Sequence, residues 1–583
     1  MDGRIIPAVR EANVGAITFK VLADGAELPQ AYEFLSLMIH KEINRIPYAR
    51  MTLRDGEAAE ETFEISSSGD LIPGKSIEIQ VGYDSNEKTL FKGVIIKHAI
   101  KIRQNGVSTL SLECRDESVK MTIGRKDKYF SEVKDSDAME EIIGTYGLDK
   151  IVESTTAQHQ ELVQYYCTDW DFVMSRAEMN GQLVIVDDGK LAIKKPDFGQ
   201  SPKLNLKYGG VLHEFEAEMD ARHQYQSVKC SAWDMATQQV LEEEVAVSTK
   251  NKQGNLTESD LAAVIGLSAL EYKHGGKVET AELKAWAEAQ QTWSQLGKII
   301  GRAKVDGTHD VKVGEVVEVS GVGDRFNGNT IVTAIRQELM EGEWYTHIQF
   351  GKSPEWFYEN RKIIAPPASG LLPGINGLQI GVVKQLEGDP ESEERILVYL
   401  PMIDPAGEGT WARLASLDAG ENRGWVFRPE IDDEVIVGFV NDDPRNAVVL
   451  GMLHSSAKPS PIEAKDDNFE RGLVTKSEIK FHIDDEKKVV TLETPSGNKL
   501  VLDDDTGGVF VEDQNGNKIS MNSDGISLES AKDIMLKATG DVKIEGVNIE
   551  EKAQAQHKAE SGAGSEYKSS AIMKIKGSLV QIN

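Results

Sequence analysis

The chain has 583 residues, with 65 Lys and Arg against 95 Asp and Glu, for a formal net charge of -30. That length exceeds what one hydrophobic core organises, so several domains are expected, and that charge excludes phosphate backbones and anionic headgroups as partners held by electrostatics. Cys114, Cys167 and Cys230 are odd in number and widely spaced, which argues against a disulfide framework and for synthesis in a reducing compartment.

The opening Met1-Asp2-Gly3-Arg4-Ile5-Ile6-Pro7 has no apolar signal core, and no run of eighteen apolar residues follows. Synthesis and assembly in the cytoplasm without a signal peptide are expected, with any export left to another machine. Residues 1–364 read as a mixed α+β region. Ala16–Val21 and Ser76–Val81 alternate with period two, as strands do, whereas Ser136–Ile143 has helical spacing behind a capping Ser136. Leu241–Val278 is charged and irregular and reads as an insertion or mobile loop. A helix follows over Thr280–Leu296, with Leu283, Trp286, Ala287 and Trp293 on one stripe, the tryptophans serving as core. Gly351-Lys352-Ser353 has a fragment of a phosphate loop, but Thr346 stands where its first Gly is required, so a strand end is the reading.

Two proline-rich seams, Ala365-Pro366-Pro367 and Lys458-Pro459-Ser460-Pro461, divide what remains. Residues 365–457 carry five apolar strands, Leu378–Val383, Ile396–Leu400, Trp411–Leu414, Glu434–Val440 and Ala447–Leu453, the pattern of an OB-fold barrel. Its Lys384 and five arginines are outnumbered by acidic residues, the wrong sign for a nucleic-acid funnel. Residues 458–478 read as a linker. Residues 479–583 read as a β-helical rod whose later part steps through Ile519/Met521, Ile526/Leu528, Ile534/Leu536, Val542/Ile544 and Val547/Ile549. The pairs recur at a period of about eight residues, one strand and one corner each. One such row cannot be buried by one chain, so several copies must share an axis, a triple-stranded β-helix being the expected form.

Generic site motifs are weak along the chain. Asp503-Asp504-Asp505 and Asp513-Gln514-Asn515-Gly516 lack the ligand register of a calcium loop and read as turns. His454, His482 and His557 are scattered, so no metal or cofactor is expected. Residues 550–570 lose the alternation and fit a bulged loop, a polar strand layer or a short helical coiled segment, with the β reading favoured.

One string is specific: Val398-Tyr399-Leu400-Pro401, Trp411-Ala412-Arg413-Leu414, Ala419-Gly420, Gly424, Pro429-Glu430, Asp433-Glu434-Val435-Ile436-Val437, Phe439, Asp443-Pro444 and Val448-Val449-Leu450-Gly451. It resembles the barrel of VgrG-type spike proteins of type VI secretion systems. Tyr166-Cys167-Thr168-Asp169-Trp170-Asp171-Phe172 with Arg176, Ala177 and Glu178, then Asp188-Gly189-Lys190-Leu191, is similar to the phage-hub-like region of that family, and Asn44–Ala49 and Phe326-Asn327-Gly328 match its style.

The resemblance implies a homotrimer at the tip of a contractile injection machine, with residues 1–364 as a phage-hub-like region and 479–583 as a needle. It implies an Hcp-like tube hexamer, baseplate proteins and a PAAR-repeat tip protein as partners, with an effector or adaptor carried along and the membrane met only by mechanical penetration. The machine would export the protein to the extracellular space or a target cell. Leu579, Val580, Ile582 and Asn583 are the expected docking face for the tip protein. About 27 residues separate Gly451 from Ile479, too few for an inserted enzyme, and no appended domain is expected after Asn583, so no catalytic residues are assigned. The alternatives are the central spike of a phage tail or extracellular injection particle, a trimeric β-solenoid polysaccharide-degrading enzyme, which needs a carboxylate pair that no spacing singles out, and an adhesive fibre, which needs a signal peptide.

Overall fold

In the computed structural model, which describes residues 15–104 and 107–582, the chain divides into two units, residues 1–376 with 441–443 and residues 377–440 with 444–583. The alternating strands expected near residues 16 and 76 are Ile17–Ala23 and Ser76–Tyr83, paired antiparallel with Phe19 opposite Val81. They belong to a thirteen-stranded sheet that takes strands from both ends of the first unit. Its seam is the pairing of Phe34–Glu42 with Gly328–Met340, where Leu37 and Ile39 meet Leu339 and Gln337. Period-two alternation buries one side of each strand, so Leu37, Ile39, Ala49, Met51, Leu53, Ile77, Ile79 and Val81 form one core.

Residues between the two halves of the sheet fold onto it. The helix Asp135–Gly144 sends Ala138, Met139, Ile142 and Ile143 inward against Trp170, Val173 and Met174 of the helix Asp169–Met179. Ser136 is not its cap: Lys134 precedes the helix, and the backbone N–H of Ser136 donates to Thr155 Oγ1 at 3.1 Å. The helix start is held instead by the side chain of Asp135, which is fully buried and accepts from Arg176 Nη2 at 3.0 Å, Asn180 Nδ2 at 2.9 Å and His159 Nε2 at 3.2 Å. Arg176 Nη2 also donates to Glu282 Oε1 at 2.8 Å, tying both helices to the helix Thr280–Leu296.

Leu241–Val278 is not an irregular loop. It holds most of the strand Gln239–Ala246, the helix Glu258–Ile265 and the strand Leu270–His274. Its charges mislead because they line exposed positions of Gln239–Ala246, whereas Val228, Cys230 and Ala232 of the neighbouring Ser227–Asp234 supply the apolar side and pack on Leu283 and Ala287. The helix Glu258–Ile265 opens with a capping box in which Thr257 and Asp260 satisfy each other's backbone N–H groups. Trp293 is buried as core, and Trp286 packs against the same small sheet as its Leu283 neighbour.

In the second unit the five strands Gln379–Gln385, Arg395–Tyr399, Thr410–Leu414, Ala447–Met452 and Glu434–Phe439 close a barrel in that order. Val383, Ile396, Val398, Ala412, Val435, Val437 and Val449 fill it. Residues 458–478 are not all linker, since Glu470–Val474 is a strand, the first of a seven-stranded antiparallel ladder that continues to Glu529. Hydrophobicity does not announce that strand because Glu470, Arg471 and Gly472 give it no apolar alternation, and its order comes from antiparallel backbone pairing with Lys480–Asp484.

The Asp135 cluster gives a test of the first unit. Burial pushes the Asp135 carboxyl up, but the hydrogen bond from His159 and the charge and hydrogen bonds of Arg176 outweigh it and hold it below the usual carboxylate range. Arg176→Leu leaves that carboxylate buried without its arginine, with only Asn180 and His159 to bond it, which costs about 3–5 kcal/mol and is read as a lower urea midpoint. A depressed folded pKa stabilises fully above the unfolded value and is lost as pH falls through the folded one. The difference between wild type and variant therefore narrows on acidification below about pH 4.

Candidate assembly surface

The ladder is built from strands of five residues joined by tight turns: Glu470–Val474, Lys480–Asp484, Val489–Glu493, Lys499–Asp503, Gly508–Glu512, Lys518–Asn522 and Gly525–Glu529. The acidic runs make the turns. Asp513 Oδ1 accepts the backbone N–H groups of Asn515 at 2.8 Å and Asn517 at 2.9 Å, while Gly516 takes a φ of +85°. These bonds, the side chain of Asn517 foremost, hold the Asp513 carboxyl down at about 2. Asp503 Oδ1 likewise accepts from Thr506 N at 2.8 Å. Asp503 and Asp513 are thus turn-formers whose carboxylates accept from the chain's own amides.

Register then decides which side chains share a face. Phe481 stands opposite Leu492, Leu492 opposite Leu500, Leu500 opposite Val511, Val511 opposite Ile519 and Ile519 opposite Leu528. Two positions along the strands a second line runs through Ile483, Val490, Leu502, Val509, Met521 and Ile526. Directly opposed residues lie on one face, so the two lines form a continuous apolar surface over six strands. Among the described residues most of it is uncovered: Phe481 is 42% exposed, Leu492 46%, Leu502 47% and Ile526 75%, with Ile483, Val490 and Val509 half-buried. The opposite face carries His482, Thr491, Val501, Phe510, Ser520 and Ser527 at its centre.

Four of the ten side chains expected in a shared core, Ile519, Met521, Ile526 and Leu528, are brought together here. The other six, Ile534, Leu536, Val542, Ile544, Val547 and Ile549, lie in residues 530–582, where the described chain forms no strand or helix and each of the six is more than half exposed. A strand exists only against a partner, and the single chain offers none there; the same holds for residues 550–570. Leu579, Val580 and Ile582 are exposed without secondary structure, and Asn583 lies outside the described residues. Sequence reading missed the surface between Phe481 and Val511, although Val490/Leu492, Leu500/Leu502 and Val509/Val511 carry the same period-two signal.

In the first unit the residues that look chemically active are spoken for. Thr168 caps the helix Asp169–Met179 by accepting from Asp171 N at 3.0 Å. Asp169 accepts from Lys126 and Tyr146 at 2.6 Å and from Gln164 at 2.8 Å, and Asp171 pairs with Arg361 at 2.8 Å. Asp188 accepts from Lys41 Nζ at 2.9 Å and Lys92 N at 2.8 Å. Lys352, which follows Gly351 at the end of the strand Glu343–Phe350, sits 4.7 Å from the Trp293 ring and pairs with Glu178 at 3.5 Å. It is a structural ion pair, and burial lowers the Lys352 ammonium against the opposing charge of Glu178. Among the described residues no group of three or more His, Cys, Asp or Glu could hold a metal ion.

Family comparisons follow this geometry. Residues 13–341 match the Alg8 N-terminal domain, 379–454 the type VI secretion system/phage-baseplate injector OB domain, and 489–553 the phage baseplate V C-terminal trimerisation domain. The type VI secretion system spike protein VgrG5 of Pseudomonas aeruginosa is 30% identical over 105 residues, which are 17% of this chain and 13% of that protein. The chain thus spans about an eighth of the length of that curated relative. Among solved structures, the 43 kDa tail protein of prophage MuSo2 from Shewanella oneidensis has 13% identity and a TM-score of 0.44 over 58% of this chain and 99% of its own. The Francisella PdpA-VgrG complex has 10% identity and a TM-score of 0.40 over 89% of this chain and 80% of its own.

The apolar surface makes a face-specific prediction. Leu500→Asp places a charge in the middle of the surface, and Ser527→Asp places one on the opposite pleat. If copies of the chain meet on the apolar face, the first abolishes self-association in sedimentation velocity and the second leaves it intact. Leu500→Ala is expected to weaken the assembled form by about 2–5 kcal/mol per chain, the usual cost of emptying a buried leucine site.

Proposed function

Because this chain belongs to the Alg8 N-terminal domain family and is a VgrG-type spike protein, we propose that it works as a homotrimer at the tip of a contractile injection machine of the type VI secretion kind. The observation that carries this reading is the uncovered apolar surface of the ladder, most of which lies in the residues matched to a trimerisation domain. Three copies facing inward cover one another's lines, and side chains worth about 1.5–3 kcal/mol each on full burial supply the drive. Residues 530–582 then gain in the assembly the strand partners that they lack in one chain, as a triple-stranded β-helix.

The role is mechanical. Residues 1–364 serve as the hub that seats on an Hcp-like tube hexamer and meets baseplate proteins, 365–457 as the barrel, and 479–583 as the needle driven through the target membrane. Leu579, Val580 and Ile582 present apolar side chains to a PAAR-repeat tip protein, and an effector or adaptor travels with the assembly. The protein is made and assembled in the cytoplasm and exported by the machine. No helix among the described residues is long and apolar enough to cross a membrane, which fits a needle that crosses by force. The OB-domain family is described for phage baseplates as well as type VI secretion, so the central spike of a phage tail or extracellular injection particle is the second reading.

Light scattering on the purified chain is expected to give three times its 64.2 kDa mass, and a stable monomer removes the proposal. Loss of Hcp export on deletion of the gene separates the secretion spike from the second reading. Deleting residues 577–583 is expected to abolish capture of a PAAR-type tip protein while leaving the trimer mass unchanged; undiminished capture moves the docking face elsewhere.

A further inference from the structure

On the pleat opposite the apolar surface, one cross-strand line of the ladder reads Lys480, Glu493, Lys499, Glu512, Lys518, Glu529, each directly opposite the next. The sign alternates at every step, and Lys518 Nζ lies 3.0 Å from Glu512 Oε1. The line beside it, His482, Thr491, Val501, Phe510, Ser520 and Ser527, has no such order. We propose that the Lys–Glu line is a register key for self-assembly: it favours antiparallel pairing of each strand with its sequence neighbour and opposes parallel, in-register pairing of equivalent strands from different copies. The inference rests on the trimer reading above.

The apolar surface is what makes a key necessary. Each strand from Lys480 to Glu529 presents an apolar pair at the same two levels, so burial alone ranks a strand equally against its neighbour, against the strand after next, and against the same strand of another copy. Gathering three chains at one surface offers all of these at high local concentration. In a meander the strand after next runs parallel to the first, and so does the equivalent strand of a copy lying in the same sense. Parallel in-register pairing sets Lys480 beside Lys499, or beside another Lys480. Neighbouring strands always bring opposite signs to that level. Like charges directly opposite destabilise a pair and opposite ones support it, so the line separates the native order from stacked, amyloid-like order without touching the apolar surface.

Three Lys and three Glu make up the line, so neutralising or inverting all six leaves the net charge unchanged and keeps solubility out of the comparison. Two full-length variants test the key. One replaces all six residues by Gln, and the other inverts each sign, as Lys480→Glu with Glu493→Lys and so on along the line. The inverted line is expected to keep a monodisperse trimer and the wild-type melting temperature. The Gln line is expected to lose the larger part of its trimer peak to large, thioflavin-positive species, and wild type in about 1 M salt, where the screening length falls to about 3 Å, is expected to shift the same way. A Gln line as monodisperse as wild type overturns the key, and so does an inverted line that aggregates as the Gln line does. A monomeric wild type instead overturns the trimer reading, and the contrast in thioflavin signal between the two variants still decides the key.

Discussion

A strand must place both its backbone and its apolar side chains somewhere, and the two parts of the second unit answer that demand in opposite ways. The barrel closes on itself, so its five strands have no open edge and its interior is filled largely by its own valines with Ile396 and Leu400. The ladder pairs its backbone within the chain but leaves Phe481, Leu492, Leu502 and their neighbours bare. Residues 530–582 form no strand or helix among the described residues, and their large apolar side chains lie exposed. Self-sufficiency therefore falls along the chain from barrel to ladder to the final segment, and dependence on other copies rises in the same order.

The first unit spends its charged residues inward. Asp135, Arg176, Glu282, Asp169, Lys126 and Lys352 would attract a search for catalytic groups by residue type, yet each is engaged with a neighbour in the fold. The thiols are as inert: burial pushes Cys114 and Cys230 up to about 12 and Cys167 to about 11, far from the thiolate range that nucleophilic work requires. Such a network is specific in geometry and costly to break. It gives the residues of the segment Tyr166–Glu178 structural roles: Thr168 caps, Asp169 and Asp171 receive cations, Arg176 clamps two helices and Glu178 holds Lys352.

Legibility in the sequence followed how much of the order is local. The five barrel strands and the helix Thr280–Leu296 were readable because period and turn residues are short-range signals, and the structure has them within a residue or two. Leu241–Val278 was misread because the strand Gln239–Ala246 carries the consecutive Glu242, Glu243 and Glu244, which interrupt the period-two signal, while its partner Ser227–Asp234 carries the fully buried apolar residues. The cap at Ser136 was misread because Asp135 is claimed by Arg176, forty-one positions away. The part of the apolar surface from Phe481 to Val511 escaped notice because its steps are spaced by turns of unequal length, which blurs a repeat while leaving each strand intact.

Burial and charge divide the work in the ladder. Burial is large but indifferent to order, since any apolar pair satisfies any other at the same level. Charge is small per pair but carries a sign, and a sign that alternates with every strand encodes sequence order in space. An ordered ladder needs both, because hydrogen bonds between strands about 4.7–4.9 Å apart hold only while each strand stays against its proper neighbour. A slip by one residue would turn the apolar lines outward and the Lys–Glu line inward together. The two patterns are therefore locked to one register, and neither can change alone.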